Sequence, residues 1–461
     1  MSAKTGPIPA LRGPMPSTMF DSSVFRDLFG TPAMRAVFND ASQIERFVEV
    51  EVALARAEAK VGLIPEAAAA EIASRTSASA IDHARLKAET DVVGYPIVGI
   101  AHQMAKQSGE AGRYVHWGAT TQDIMDTATV LQLRDALALV DADLAAIEAA
   151  LVHHARKHRD TVMAGRTHLQ HALPVTFGYK AAVWLSMIRR HRERLAQLRP
   201  RVLVVQFSGA AGTLASLGDK GLLVQAALAE VLGLRQPDIT WHAARDSIAE
   251  VGCFLGLVTG SLSKIAIDVM LMMQTEIGEA FEPFVPGRGS SSTMPQKRNP
   301  ISCEMIFALA KCVRSNVDLL LDGMAADHER ATGPWHLEWI AVPEIFLAAS
   351  GALHQARFML EGLIVEPGAM RRNLDLTGGL IVAEAVMMAL APHIGRGDAH
   401  DLVYTCCRRA LEEGTPLLAQ LEKEPAVTRH FDSPALARLV DPANYLGTAQ
   451  AMVDRMTGGL G

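Results

Sequence analysis

The stretch from Phe281 to Pro300, FEPFVPGRGSSSTMPQKRNP, holds the residues best suited to chemistry. Its glycines and three consecutive serines bury little apolar surface, and Lys297 and Arg298 follow at once. Pro300 suits the first turn of a helix, so this stretch is predicted to be a loop that runs into a helix N-terminus. The free N–H groups there, together with the Lys297 charge, favour a carboxylate or phosphate ligand. By composition alone, a plain Gly/Ser surface loop is the commoner interpretation.

Two further stretches interrupt the helical pattern and are rich in small and polar residues. They are Arg113 to Thr127 (RYVHWGATTQDIMDT) and Ala164 to Gly178 (AGRTHLQHALPVTFG). Binding and catalytic residues concentrate on loops that rigid elements hold in place. The three stretches are therefore the candidate site segments.

Helical periodicity dominates the rest of the chain. Residues 42 to 61 show it most clearly, with an S-x-x-E capping box at Ser42 and Glu45 and a stop at Gly62. Further helices are predicted at about 121–160, 175–198, 219–233, 243–278, 300–325 and 343–362. Strand-like alternation is almost absent, apart from a short candidate element at Leu203 to Phe207. The sequence therefore predicts an all-α protein.

The longest predicted helices follow one another in the middle of the chain, and such helices pack as a bundle. The segments at both ends have shorter helices that Gly and Pro interrupt. We therefore predict three domains. They are an N-terminal helical domain at 1–112, a central bundle at 113–365 with the serine loop at 283–300, and a C-terminal helical domain at 366–461.

Composition restricts the partners. The 461 residues carry 44 Lys and Arg against 50 Asp and Glu, and the net charge of -6 offers no basic field for nucleic acid.

Five cysteines without a CxxC pair indicate a reducing compartment, so we expect a cytoplasmic protein. The apolar stretch Val251 to Gln274 contains Lys264 and Asp268, which favours a buried helix over a membrane span. His154 and His158 lie one helical turn apart but lack the acid of the HExxH metal motif, and no Walker or GxGxxG motif is present, so we expect neither metal nor cofactor.

The string SSSTMPQKRNP closely resembles the signature loop of the aspartase/fumarase superfamily, which has the pattern GSSxMPxKxNP. GATTQDIMDT resembles the carboxylate-binding Thr-Ser segment of that superfamily, and GRTHLQHALPVTFG resembles its third shared segment. The flanking strings are most similar to 3-carboxy-cis,cis-muconate cycloisomerases, for example TPAMRAVF, DHERATGPWHLEW and MRRNLDLTGGLIVAEAV. This resemblance implies the superfamily's three-domain helical fold. It also implies a small polycarboxylate substrate and a homotetramer whose composite active sites combine loops from different subunits.

The resemblance places the catalytic serine six residues before Lys297, at Ser291. A serine hydroxyl is a poor base at neutral pH unless its oxyanion is stabilised, which Lys297 and loop N–H groups could do. The proton to be removed sits on a carbon next to a carboxylate, and its loss builds an enolate-like dianion. Lys297 and Asn299 carry over as donors to that carboxylate.

Four further residues carry over as substrate-binding groups. Thr120 and Thr121 are hydroxyl donors to a substrate carboxylate, although the superfamily commonly has Ser at the second position. The other two are Thr167 and Ser292, which lie beside the predicted catalytic residues.

His168 falls where fumarases and adenylosuccinate lyases carry a histidine linked to acid/base work, and it is the second predicted catalytic residue. Bacterial cycloisomerases often have a residue such as Trp there. Two functions therefore stay open. The first is a cycloisomerase of polycarboxylates, which the flanking strings favour. The second is a C–N lyase or epimerase of an N-substituted aspartate, iminodisuccinate-like or adenylosuccinate-like, which His168 favours.

Two other interpretations are less favoured. Thr90, in ETDVV, stands where adenylosuccinate lyases have a second histidine, which argues against that enzyme. A catalytically silent relative is a further alternative, but Ser291, Lys297 and Asn299 are all intact.

Overall fold

A computed structural model describes residues 17–458, and most of them are helical. The helices are α1 (Pro32–Phe38), α2 (Asp40–Lys60), α3 (Glu66–Arg75), α4 (His83–Val93), α5 (Ile97–Gln107), α6 (Thr121–Lys157), α7 (Phe177–Val202), α8 (Gly221–Leu232), α9 (Asp246–Met273), α10 (Ile301–Asp322), α11 (Pro334–Glu361), α12 (Pro367–Asp375), α13 (Ala383–Ile394), α14 (Arg396–Glu413), α15 (Leu417–Leu421), α16 (Pro425–Thr428), α17 (Ser433–Leu439) and α18 (Ala449–Thr457). The strands are β1 (Val162–Thr167), β2 (Gln170–Thr176), β3 (Ala280–Phe281) and β4 (Ile364–Val365). The predicted helical fold class is confirmed.

Three local predictions need correction. The capping box at Ser42 does not form, because α2 begins earlier and Asn39 is its N-cap, with the Asn39 side chain accepting the N–H of Ser42. The stretch from Ala164 to Gly178 is not a loop, because most of it forms the antiparallel hairpin β1–β2. Leu203 to Phe207 forms no strand, and its one ladder contact is an isolated bridge between Val204 and Arg235.

The last predicted central helix also begins earlier than expected. The apolar pattern predicts it from 343, but α11 begins at Pro334 and continues through Pro343. An interior proline lacks a backbone donor and disfavours a helix, so packing must offset this cost in α11, where Val342, Ile345 and Phe346 around Pro343 are buried.

By their internal contacts, the described residues form two units. The first contains the described chain up to Asp141, together with Arg194–Thr259 and Ala308–His354. Its main core joins the apolar face of α2 to α5, α6 and α8, with fully buried residues such as Leu54, Ile100 and Leu131. A smaller cluster packs the end of α2 on α3.

The second unit contains Ala142–Glu193, Gly260–Phe307 and the described chain from Gln355 onward. One core packs α13, α14, α15 and α17 together, with Leu390, Val403 and Leu421 buried. Another packs the hairpin residue Ala164 against Leu374 and Val382. The long helices α6, α7, α9, α10 and α11 each contribute residues to both units. The three-domain division along the sequence stays a prediction.

Helix α9 covers most of the apolar stretch considered above. Within the described part of the chain it is the one single helix long and apolar enough to cross a membrane, and core helices of soluble proteins pass the same test. Its residues Leu255, Val258, Leu262, Ile265 and Val269 are fully buried. This burial favours the predicted core helix.

Candidate active site

The serine loop presents Ser291 with a preformed set of donors. The side-chain oxygen of Ser291 accepts the backbone N–H groups of Met294 at 3.1 Å and Thr293 at 3.3 Å. The Thr293 hydroxyl lies 3.4 Å away. Backbone donors aimed at one oxygen stabilise negative charge on it. The loop itself therefore supplies the expected N–H stabilisation of a Ser291 oxyanion.

The two arms of this loop meet at a narrow neck. The N–H of Asn299 donates to the Gly289 carbonyl at 2.9 Å, and Ser290 and Arg298 form an antiparallel bridge. Gly289 has φ 68°, and a Cβ there would lie 2.6 Å from the Asn299 carbonyl oxygen. Only glycine fits this conformation and this close approach without strain.

Two arginines of the loop anchor its neck to residues beyond the loop. Arg298 donates to the Glu282 carbonyl at 3.0 Å and lies over the rings of Phe281 and Phe284. Arg288 donates to Ser302 Oγ at 2.7 Å and to Gln355 Oε1 at 2.8 Å. Both guanidinium groups are thus used to hold the loop.

The N-terminus of α10 differs from the sequence prediction. The N–H groups of Ser302 and Cys303 donate to the buried carboxylate of Glu282 at 3.2 Å and 2.8 Å. This carboxylate occupies the donors that were expected to bind a substrate anion. The expectation of a free helix terminus is therefore wrong, and ligand binding falls to the loop residues themselves.

The other predicted loop residues are accessible. Ser292 and Lys297 are exposed, and Asn299 is half-buried at the neck. Among the described residues, the Lys297 ammonium has no hydrogen-bond or ion-pair partner, and only its backbone N–H bonds, to Met294 O at 3.0 Å. The Lys297 charge is therefore free to meet a ligand.

His168 lies at the tip of the β1–β2 hairpin, next to Thr167 at the end of β1. Thr167 pairs with Gln170, which leaves His168 and Leu169 as a two-residue turn with φ of 52° and 63°. Such turns usually contain Asn or Gly, because both central residues take the left-handed conformation. Strained, exposed residues of this kind often mark functional sites.

Arg166, the residue before Thr167, anchors this hairpin near its tip. Its guanidinium pairs with the fully buried Glu279 through two bonds of 2.8 Å and 2.7 Å, and Asn373 donates to the same carboxylate at 2.8 Å. Burial, followed by the Arg166 charge, lowers the pKa of the neighbouring His171. The hairpin is thus held close to its tip by a charged and well-paired residue.

Thr120 is the residue before α6, and Thr121 begins it. The Thr120 N–H donates to Asp123 Oδ2 at 3.0 Å, while the Asp123 N–H donates to the Thr120 carbonyl. Both threonine side chains are half-buried. This reciprocal cap sets the direction of the first turn of α6.

The fully buried Asp123 joins three segments of the first unit. Besides Thr120, it accepts the N–H of Ser208 at 2.9 Å and of Gly209 at 3.0 Å, and its Oδ1 lies 2.7 Å from His242 Nε2. Sequence reasoning did not single out Asp123 or His242. The T-x-x-D spacing signals the Asp123 cap, but no local pattern identifies His242.

A buried ionic group supports the next turn of α6. Arg245 donates to both Asp126 oxygens at 2.8 Å and 3.0 Å and pairs with Glu338. Burial alone would lower the pKa of Arg245, but Asp126 and Glu338 raise it above its usual value. Trp335 adds a donor to Asp126 at 3.0 Å. The first two turns of α6 are therefore rigidly held.

Arg330 is another residue that sequence reasoning did not assign. Its guanidinium donates to the Gln122 side chain at 3.1 Å and to the Ala210 carbonyl at 2.7 Å. Gln122 directly follows Thr121, so Arg330 places a positive charge beside the first turn of α6.

The predicted residues divide between the two units. Thr120 and Thr121 belong to the first. Six belong to the second, namely Thr167, His168, Ser291, Ser292, Lys297 and Asn299. Among the residues that the structure describes, no group of three or more His, Cys, Asp or Glu side chains is arranged to hold a metal ion.

Comparison with known proteins places this geometry in a family. Residues 29–314 match the protein family described as Lyase, and residues 379–456 match the one described as Adenylosuccinate lyase C-terminus. The chain is 49% identical to a 3-carboxy-cis,cis-muconate cycloisomerase of Pseudomonas aeruginosa, over 94% of this chain and 95% of that protein. It is 41% identical to the N-acetyl-S-(2-succino)cysteine lyase of Dickeya dadantii, over 96% of this chain and 97% of that one.

A solved structure supports the same family assignment. The crystal structure of a fumarate lyase from Mesorhizobium sp. BNC1 has 57% sequence identity and a TM-score of 0.88, and the match covers 94% of this chain and 99% of that one. The sequence resemblance to the aspartase/fumarase superfamily is therefore confirmed. The chain belongs to the lyase family of this superfamily and is one of its enzymes.

Proposed function

We propose that this enzyme is a lyase/isomerase that removes a carbon-bound proton next to a carboxylate of a small polycarboxylate, most like a 3-carboxy-cis,cis-muconate cycloisomerase. The observation that carries the proposal is the pair of N–H groups from Thr293 and Met294 on the Ser291 side-chain oxygen. They stabilise an alkoxide, which makes Ser291 a competent base.

In the lactone-opening direction, the Ser291 alkoxide takes the proton from the carbon next to the carboxylate. The C–H electron pair moves into that carboxylate and gives an enediolate-like dianion. The pair then returns to form a C=C bond while the ring C–O bond breaks, and the leaving carboxylate keeps its bonding electrons. Cycloisomerisation is the reverse sequence, in which a carboxylate oxygen adds to the double bond and Ser291 returns the proton.

Most of the catalysis comes from stabilising the dianion. Lys297 supplies a free positive charge and Asn299 an amide donor, both on the arm of the loop opposite Ser291. Ser292 and Thr167 add hydroxyls beside the two catalytic residues. Thr120 and Thr121 bind a second carboxylate of the substrate, which requires a substrate with at least two carboxylates.

A second candidate function is elimination or epimerisation of an N-substituted aspartate. The observation that favours it is His168, an exposed imidazole held at a strained hairpin tip. An amine leaving group needs a proton as its bond breaks, and histidine side chains in general exchange protons near neutral pH. The Dickeya relative, whose name describes a succinylated thiol substrate, supports eliminations from substituted succinates within this family.

Assembly is part of the proposal. We propose a cytoplasmic homotetramer in which Thr120 and Thr121 of one subunit complete a site with the serine loop and hairpin of others. Exposed apolar residues on the long helices support it, among them Leu257 and Ile267 on α9. The five cysteines are all unpaired, as a reducing compartment requires. Light scattering should give a tetramer, and a stable, fully active monomer would contradict the composite site.

The test is a substrate panel with the purified enzyme. Absorbance changes are followed with carboxymuconate, adenylosuccinate, argininosuccinate and iminodisuccinate, and carbon-bound proton exchange in D₂O is followed by NMR. We expect exchange with at least one of these compounds, and we expect Ser291→Ala to abolish it. Exchange that persists in Ser291→Ala would remove Ser291 as the base.

A further inference from the structure

A buried cluster of acid and base groups lies on α2, outside the catalytic loops. Glu51 and Glu58 are two helical turns apart, and their residue exposures are 2% and 0%. Glu51 Oε1 lies 2.6 Å from His116 Nδ1. The other Glu51 oxygen and both Glu58 oxygens are buried without a hydrogen-bond partner among the described residues. Buried polar groups without partners oppose folding, so stability alone does not explain this cluster.

The surroundings define the charge of each group. Burial, and then the Glu51 charge, raises the pKa of Glu58 to about 9, so Glu58 is a neutral acid at pH 7. Burial by itself would lower the pKa of His116, but the Glu51 carboxylate, with a smaller contribution from Asp123, raises it. The raised pKa of His116 favours its protonated form opposite the Glu51 carboxylate, and the neutral Glu58 lies two helical turns from Glu51.

Neighbouring elements supply few other charges to this cluster. On α2 and α8, Lys60 and Glu230 pair with each other at 2.7 Å. The Lys220 ammonium donates to the Gly62 carbonyl at 3.0 Å. Each of these charges has its own partner, and the partner of Glu51 is His116.

His116 also begins the turn that leads to the carboxylate-binding threonines. His116 and Gly118 both have left-handed backbones, with φ of 60° and 70°. A Cβ on Gly118 would lie 2.6 Å from the Leu217 side chain. Two residues later, Thr120 caps α6 through Asp123. The imidazole of His116 is thus the polar link between α2 and this turn.

We propose that Glu51 is a positioning residue, which holds the turn of residues 116–121 through its 2.6 Å contact with His116, and that the buried Glu58, which has no hydrogen-bond partner among the described residues, makes this hold sensitive to pH. This inference rests on the proposed role of Thr120 and Thr121 in binding a carboxylate. When pH rises, two titrations weaken the contact by which Glu51 positions this turn. His116 gives up its proton, and Glu58 ionises to place a second buried negative charge two helical turns from Glu51.

The first test uses stability. A carboxyl group whose pKa is raised in the folded state, here from an ordinary 4.5 to about 9, contributes stability at low pH that is lost as pH rises through the folded value. The wild type should therefore lose thermal stability between pH 5 and pH 9. Glu58→Gln, which is permanently neutral, should be more stable than the wild type at pH 8 and lose less. Glu230→Gln, at an exposed ion pair, is the matched control and should keep the wild-type slope. Parallel curves for the wild type and Glu58→Gln would overturn the role of Glu58.

The second test uses hydrogen–deuterium exchange of the peptide covering residues 113–123, which needs no substrate. Glu51→Gln should speed exchange there at least threefold at pH 7 while α13 and α14 stay protected, and Glu58→Gln should not. Unchanged exchange in Glu51→Gln would overturn the positioning role.

Binding supplies the third readout, with succinate as the dicarboxylate probe. Glu51→Gln should raise the succinate Kd at least fivefold at pH 7, whereas Glu58→Gln should keep the wild-type Kd. If exchange responds but succinate binding is equal in the wild type and Glu51→Gln, the turn is held as inferred and the proposed role of the threonines fails instead.

Discussion

His242 and Asp123 face each other inside the first unit, with Nε2 of the imidazole 2.7 Å from Oδ1 of the carboxylate. Both side chains are buried, and the two residues are 119 positions apart in the chain. The same carboxylate holds the N–H groups of Thr120, Ser208 and Gly209. One buried acid thus sets the position of the carboxylate-binding helix start and of the glycine-rich segment that follows Phe207.

Asp123→Asn should disrupt this arrangement. An amide cannot accept from all four donors, and an unsatisfied buried donor costs about 1–3 kcal/mol. We expect the free energy of unfolding to fall by roughly 3 kcal/mol and KM for the substrate to rise at least tenfold. Denaturant unfolding measures the change in the free energy of unfolding, and steady-state kinetics measures the change in KM. The control is Asp219→Asn, at an exposed position of the same glycine-rich segment, which should behave as the wild type. Equal stability of the two variants would contradict the role of Asp123.

Ser291→Ala should remove the base and leave the fold unchanged. The half-buried Ser291 bonds only within its own loop, so the melting temperature should stay within about 1 °C. We expect kcat to fall at least about 10²-fold, as for a positioned acid or base. The matched control is Ser290→Ala, at the neighbouring serine whose hydroxyl donates to the Gly287 carbonyl. Near-normal turnover by Ser291→Ala would remove this residue from the mechanism.

His168→Trp separates the two candidate functions. Carboxylate leaving groups need little proton help, whereas an amine leaving group or an epimerisation needs a second proton-transfer group. The variant should abolish turnover of an amino-dicarboxylate and leave any carboxymuconate turnover measurable. Leu169→Ala, at the adjacent exposed turn position, controls for changes in the hairpin itself. If the wild type turns over carboxymuconate, ignores every N-substituted aspartate and survives His168→Trp, then His168 is structural.

Gly289→Ala should misplace the loop without unfolding the protein. The added Cβ would meet the Asn299 carbonyl oxygen at 2.6 Å, and the left-handed backbone adds strain of about 1–3 kcal/mol. We expect kcat to fall about tenfold or more, because Ser291 and Asn299 lie on opposite sides of the neck. Gly397→Ala, in the first turn of α14 with nothing within 4 Å, should be neutral or slightly stabilising. Full activity of Gly289→Ala would show that catalysis does not depend on the geometry of the loop neck.

The sequence by itself determined the features that depend on neighbours along the chain. Apolar periodicity located the long helices, because a buried helix face repeats every three to four residues. The serine loop and the Thr120 segment were found from strings of ten or so residues, and they led to the correct superfamily. The start of α2 was misplaced by local capping rules, since both Asn39 and Ser42 are good N-caps and packing chose Asn39.

Tertiary structure alone decided what distant residues do to one another. Glu282 takes the N–H groups of the α10 terminus, His242 meets Asp123, and Glu51 holds His116. No local pattern predicts these contacts, because each partner is brought in by the folding of separate helices. The β1–β2 hairpin was missed for a related reason. Its turn uses His168 and Leu169 in a conformation that their side chains disfavour, and the paired strands and the Arg166–Glu279 ion pair hold it there.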